Sequence, residues 1–257
     1  MKKQYYFITG LPRSGTTLLS AILNQNPRFQ ASISGPLARF SRAIIDQSSA
    51  QSGYRHHCDV DKRMSIIKGI FDNYYDQDKE VFFDTNRGWT LLLPLLKTLF
   101  PYTKALVCVR DIVQVLDSFE NLYRKNPLDK QLMIPDEYSA TVYSRCDYLM
   151  REDMTVGFAY LGLKEAITGN ERSSLMLVEY EQLCRNPQGM MTAIYNFIDQ
   201  PQFIHDFDNV ESSYDEFDAD VNVKGLHTTR KRVEYLPRTL ILPPDIQNKF
   251  SNMEVWR

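Results

Sequence analysis

Cysteine is scarce in this chain: Cys58, Cys108, Cys146 and Cys184 are the only four among 257 residues. They are widely spaced and form no metal-ligand pattern, so no metal is expected. Cys108 lies in an apolar run and reads as a reduced, structural thiol. An excess of charge is also lacking. Thirty Lys and Arg stand against 32 Asp and Glu, a net charge of −2, so non-specific nucleic-acid binding is not implied. Long hydrophobic runs are missing as well. Met1-Lys2-Lys3 leads straight into a first apolar run too short for a secretory segment, and no later stretch reaches the length of a membrane span. A cytoplasmic location without a membrane span is the expectation. There is no internal repeat and no low-complexity linker. What remains, 257 residues at 43% apolar, can bury one full core, so a single domain over 1–257 is expected.

Apolar runs of strand length alternate with stretches of helical period, the order that builds a parallel α/β sheet. The pattern predicts strands at 4–9, 81–84, 104–109 and 174–178, with a short one near 29–33. It predicts helices over 16–25, 36–48, 60–77, 88–99, 111–125, 138–169 in two or more pieces, and 187–199. The fold class is therefore α/β, a three-layer P-loop-like arrangement with a central parallel sheet flanked by helices. Residues 206–220 stand out in composition. Seven acidic residues there interleave with Phe207, Tyr214 and Phe217, and a basic run around Arg230 follows. This pair of strips is either a lid or acceptor-recognition element, or a solvated connection with local ion pairs.

The most informative stretch runs from Tyr5 to Leu19. An apolar strand enters the loop Gly10-Leu11-Pro12-Arg13-Ser14-Gly15, which passes directly into a helix beginning Thr16-Thr17. Loop amides and the unpaired N–H groups of a helix start converge there into an anion site. Gly10 and Gly15 match the nucleotide-triphosphate template G-x-x-x-x-G-K-[ST], but Thr16 stands where that template needs lysine. A cation, Arg13, sits inside the loop instead and can present a planar fork of donors to a phosphate or sulfate. Ser14, Thr16 and Thr17 can add hydroxyl hydrogen bonds. The plain alternative is an ordinary turn with Arg13 solvated.

Two further segments follow the same logic. The run Thr103 to Val109 is apolar and leads at once into Arg110-Asp111. Ile112, Val115, Leu116, Phe119 and Leu122 then repeat at helical spacing, so Arg110 falls at the carboxyl end of a strand, where open α/β sheets bind ligands. Ser118 lies about two turns along that helix. Later, Leu175-Met176-Leu177 precedes Val178-Glu179-Tyr180-Glu181-Gln182-Leu183. Taken singly, Arg110 suits a structural ion pair and Tyr180 a core tyrosine.

The string Pro-Arg-Ser-Gly-Thr-Thr-Leu resembles the phosphosulfate-binding loop of the sulfotransferase superfamily. Arg110 with Ser118 resembles that family's grip on the donor's 3′-phosphate, and Tyr180 the tyrosine of its "YE-x-L" segment near the adenine. Lys224-Gly225 is similar to two residues of the segment with which cytosolic members close over the 3′-phosphate, although the rest of that motif is missing. The resemblance covers most of residues 5–200 and is nearest to bacterial members of unassigned acceptor. It implies in-line transfer of a sulfuryl group from 3′-phosphoadenosine 5′-phosphosulfate (PAPS) to a hydroxyl or amine on a small-molecule or peptide acceptor. Arg13, Ser14, Gly15, Thr16, Thr17, Arg110, Ser118, Tyr180, Lys224 and Gly225 would bind the donor, and Arg13 would also stabilise the transferring group. A P-loop kinase or NTPase, or a non-catalytic nucleotide-binding module of the same fold, are the competing readings.

For a catalytic base the sequence offers Asp84, which ends an apolar strand at the expected site edge. The same residue would equally suit a helix cap or a partner for Arg87. His56 and His57 are alternatives, placed in a polar stretch that also suits a surface pair. The chain departs from better-known branches here. Ser34-Gly35-Pro36 stands where tyrosylprotein-type enzymes carry glutamate, and Asp84-Thr85-Asn86-Arg87 where cytosolic-type enzymes place histidine. Neither the acceptor nor the oligomeric state is readable.

Overall fold

Both faces of each central strand are apolar, and that dictates the architecture. In β1 (Gln4–Gly10), Tyr5 and Phe7 point to one buried cluster while Tyr6 and Ile8 point to a second. Phe82 and Phe83 of β3 (Val81–Thr85) divide the same way, as do Val107 and Leu106 of β4 (Ala105–Val109). A strand apolar on both faces needs cover on both, which parallel crossover connections supply. The computed structural model describes residues 3–49, 52–76, 78–126, 134–210, 212, 214, 218–219, 223 and 225–257. With β2 (Phe29–Ala31) and β5 (Leu175–Glu179) it shows one five-stranded sheet, order β2-β3-β1-β4-β5, every pairing parallel.

One face packs against α1 (Thr16–Leu23), α9 (Tyr180–Arg185) and α10 (Pro187–Phe197). The other carries α2 (Leu37–Ser48), α3 (Val60–Tyr74), α4 (Leu93–Leu99), α5 (Ile112–Lys125), α7 (Val142–Met150), α8 (Thr155–Thr168) and α11 (Pro244–Lys249). A short α6 (Asp136–Ser139) precedes α7. Phe71 sits at the centre of the larger cluster, with Tyr5, Phe7, Trp89 and Phe100 ringed around it at 5.1–6.0 Å. All four cysteines are buried and unpaired, and burial pushes the Cys108 thiol up to about 12. Among the described residues no helix is long and apolar enough to cross a membrane.

The element map departs from the sequence reading in three places. The helix expected over 88–99 starts at Leu93, after a 3₁₀ turn at Arg87–Trp89, because Pro94 is tolerated only in a first helical turn. Asp111 lies just outside α5 as its N-cap, accepting the Gln114 N–H at 2.8 Å. The short α9 and α11 carry no long apolar period, so the pattern does not predict them.

Two buried polar clusters lock helices together. Glu120 of α5 receives both Arg145 Nε (2.8 Å) and Nη2 (2.7 Å) from α7, with its side chain 1% exposed. On the other face His205 lies between Tyr195 (3.1 Å) and Gln25 (3.3 Å), and burial holds its pKa down at about 4. Glu120→Ala strands a buried guanidinium and is expected to cost about 3–5 kcal/mol in chemical unfolding. His205 folds neutral but charges when unfolded. Its contribution is therefore complete above pH ~6.5 and lost as pH falls toward 4. The stability difference between wild type and His205→Asn, measured by denaturant titration, should rise with pH across that window and then level off.

Candidate active site

The loop after β1 owes its shape to contact with β4. Gly10 adopts φ 111°, and a Cβ there would stand 2.1 Å from the Cys108 carbonyl oxygen, so only glycine fits. Leu11 N–H donates to that same carbonyl at 3.0 Å. Ser14 Oγ donates to Cys108 O (3.0 Å) and Leu11 O (2.5 Å). Ser14 is thus 1% exposed and does not line the cavity, so its hydroxyl staples the loop and is not offered to a ligand. Arg13 takes a positive φ of 58° and Gly15 one of 91°. Gly15 begins α1 with no side-chain cap, leaving the helix start open beside Thr16 and Thr17. The Tyr180 ring covers Gly15, where a Cβ would fall 2.8 Å from Cδ2.

Arg13, Arg110, Ser118 and Tyr180 come together although they are far apart in sequence. Arg13 Nε donates to Ser118 Oγ at 3.1 Å, and its Nη1 donates to the Leu226 carbonyl. Arg110 Nη1 donates to Arg13 O at 3.2 Å, while its Nε and Nη2 reach Gln114 Oε1 at 3.2 and 3.0 Å. Its guanidinium stacks 4.3 Å from the Tyr180 ring centroid, and Glu181 Oε1 stands 3.7 Å from its Nε. Burial lowers the Arg13 pKa to about 10, helped by Arg110 and Arg238, which leaves it charged at neutral pH. Gly225, at φ 78°, bends the strap that brings Leu226 over Arg13; Lys224 lies outside the described residues.

These groups line a cavity of about 670 Å³ at the carboxyl edge of the sheet. Among the described residues seven arginines (Arg13, Arg39, Arg87, Arg110, Arg230, Arg232, Arg238) face it against one carboxylate, Glu234. Such a surplus has the electrostatics that suit a polyanion. Among the described residues no cluster of His, Cys, Asp and Glu suits a metal ion.

Asp84 does not reach this cavity. Its carboxylate turns into the core, where Tyr75 OH donates to Oδ2 (2.5 Å) and Trp89 Nε1 to Oδ1 (2.7 Å). A Cβ on Gly35 would come within 2.7 Å of it, closing the remaining side. Burial raises its pKa to about 6 against those two bonds. The expectation of a base at Asp84 therefore gives way to a buried anchor that holds Trp89 and the β3 end. Neither is it a cap, since Asn86 accepts the Gly88 N–H at 2.9 Å. His56 and His57 are exposed on a 3₁₀ turn and do not line the cavity either.

The histidine that does line it is His227. Asp218 Oδ1 lies 2.6 Å from Nδ1, and Asp218 Oδ2 accepts the His227 backbone N–H at 3.0 Å. With the proton assigned to Nδ1 by this contact, Nε2 carries the lone pair, 3.5 Å from Ser34 Oγ. Burial lowers the His227 pKa; Asp218 opposes this, and Arg13 and Arg87 add to it. Sequence reasoning missed the pair because Asp218 sits in the acidic segment and His227 in the basic one. Their neighbours also pair: Arg232 meets Asp208 at 3.0 Å, and Val233 N–H donates to Phe207 O.

The model of the sulfotransferase family matches residues 6–204. Among solved structures, the sulfotransferase domain from the curacin biosynthetic pathway is 14% identical, covers 96% of each chain and superposes with a TM-score of 0.59. A sulfotransferase from Alicyclobacillus acidocaldarius is 17% identical over 86% of this chain and 92% of its own, with a TM-score of 0.51. Curated proteins offer no significant sequence match. The family match spans the anion loop, the Arg110 strand end and the Tyr180 segment alike, and on that ground this chain belongs to the sulfotransferase family.

Proposed function

We propose that this protein transfers a sulfuryl group from PAPS to a hydroxyl or amine of a small-molecule or peptide acceptor. The observation that carries the reading is the convergence of the Arg13 loop, Ser118 and Arg110 on one side of His227 in a cavity lined by seven arginines. These residues suit a nucleotide with phosphate at both ends. The open start of α1 with Thr16 and Thr17 would take the 5′-phosphosulfate, Arg110 and Ser118 the 3′-phosphate, and Tyr180 the base. When bound, PAPS supplies an activated sulfuryl group and a phosphate leaving group. Thr16 stands where a triphosphate site needs lysine, which favours this donor over ATP.

His227 is placed to accept the acceptor's proton at Nε2 as the new O–S (or N–S) bond forms and the S–O bond to the leaving phosphate breaks. Asp218 holds the ring in the base tautomer and stabilises the imidazolium that results. Arg13 and the loop amides stabilise charge on the departing phosphate. Asp84 takes no part and supports the β3 end from behind.

Arg110→Ala should weaken 3′-phosphoadenosine 5′-phosphate (PAP) in calorimetry by about 2–4 kcal/mol, and adenosine 5′-phosphate far less. Equal losses would remove Arg110 from the 3′-phosphate. His227→Asn should lower kcat about 10²–10⁴-fold with PAP affinity intact, whereas Asp84→Asn should keep both kcat and the pH profile. The lowered His227 pKa keeps the base form populated below the usual histidine value. The acid limb of kcat/KM should accordingly fall below pH ~6.5; a limb unchanged in His227→Asn would exclude the assignment.

A further inference from the structure

The proposed donor site draws on Arg13 and Arg110, and two further cavity arginines, Arg39 and Arg87, lie apart from it. Strand order separates the halves. Arg110 and Tyr180 leave β4 and β5 on one flank of β1, whereas Ser34, Gly35 and Arg39 follow β2 and Asn86 and Arg87 follow β3 on the other. The ends of β3 and β4 are two strand spacings apart, about 10 Å, so Arg87 and Arg110 serve opposite halves. His227 lies between them, facing Ser34 on the second flank while its strap meets Arg13 on the first.

Arg39 and Arg87 form the second group. Among the described residues neither side chain makes a hydrogen bond or an ion pair, while Arg28, Arg145 and Arg232 all have carboxylate partners. Both are open to the cavity solvent. Arg39 also occupies the first turn of α2, a helix start with no side-chain cap and no acidic residue, where a cation is disfavoured by the helix dipole. Among the described residues nothing but solvent compensates these two guanidiniums, and an anionic ligand would do so. Binding a neutral acceptor here would strip water from both cations and return nothing.

We infer that the acceptor is itself an anion, with a phosphate or carboxylate group held by Arg39 and Arg87 while its nucleophilic hydroxyl or amine lies at His227 Nε2. This rests on the donor assignment above. Arg39 and Arg87 are then specificity residues: they select the acceptor and orient it in line with the donor half.

The test is calorimetry on the full chain saturated with PAP, using phenyl phosphate, benzoate and phenol as probes. Phenyl phosphate or benzoate should bind about tenfold or more tightly than phenol, and the stronger of the two identifies the anion class. Arg39→Ala and Arg87→Gln should each remove most of that preference while changing PAP and PAPS affinity by less than about twofold. Thermal unfolding of both variants checks that each is folded. Equal binding of phenol and the anions overturns the inference. So does a loss of PAPS affinity with PAP unaffected, since the arginines would then hold the transferring sulfuryl group. If PAP itself fails to bind, the donor reading fails. Phenyl phosphate titrated into the nucleotide-free chain and both variants then decides the Arg39–Arg87 site separately: a drop in the variants supports it, and unchanged affinity overturns it.

Discussion

One carbonyl, that of Cys108, sets the register on which the site depends. It accepts the Leu11 N–H and the Ser14 hydroxyl, and it lies where any Cβ on Gly10 would have to go. The anion loop is thereby pinned to the end of β4 and not merely extended from β1. Because Arg110 lies two residues beyond Cys108, the same contact delivers Arg13 O to the Arg110 guanidinium and Arg13 Nε to Ser118. A shift of the loop along β4 would break all three relationships together.

Around that fixed point the protein concentrates positive charge with little internal compensation. The chain as a whole is nearly neutral, yet among the described residues seven arginines meet one carboxylate at the cavity. Two of the seven do have carboxylate partners, Arg110 in Glu181 and Arg232 in Asp208, and away from the cavity Arg145 pairs with Glu120 and Arg28 with Glu80. Stability and function therefore draw on different regions. The aromatic cluster about Phe71 and the buried polar locks hold the layers together, while the cavity edge gathers like charges.

Asp84 and His227 show how burial reassigns roles. A carboxylate at a strand end is a reasonable base by position, but Tyr75 and Trp89 occupy both its oxygens and Gly35 closes over it. Imidazole, by contrast, reaches the cavity on a strap from the far end of the chain, with Asp218 behind it. Neither fact is contained in local residue pattern. Side-chain direction at the end of β3 depends on what packs against it, and a histidine–aspartate contact across an irregular segment has no periodicity to betray it.

Much was legible from sequence alone, for local physical reasons. Double-sided apolar runs required a covered parallel sheet. Gly10, Arg13, Gly15 and Thr16 marked a tight strand-to-helix loop without the triphosphate lysine, and the strand end at Arg110 placed a cation on the cavity edge. The helix break at Pro94 and the Asp111 cap were nearly readable too, since both are effects within one turn. Tertiary structure alone decided which charges are paired, which carboxylate is buried, and which histidine faces the cavity. These depend on contacts between segments tens to hundreds of residues apart, such as Arg13 with Leu226 or Ser34 with His227. Backbone propensity and periodicity act over a few residues, whereas burial and charge pairing are properties of the packed whole.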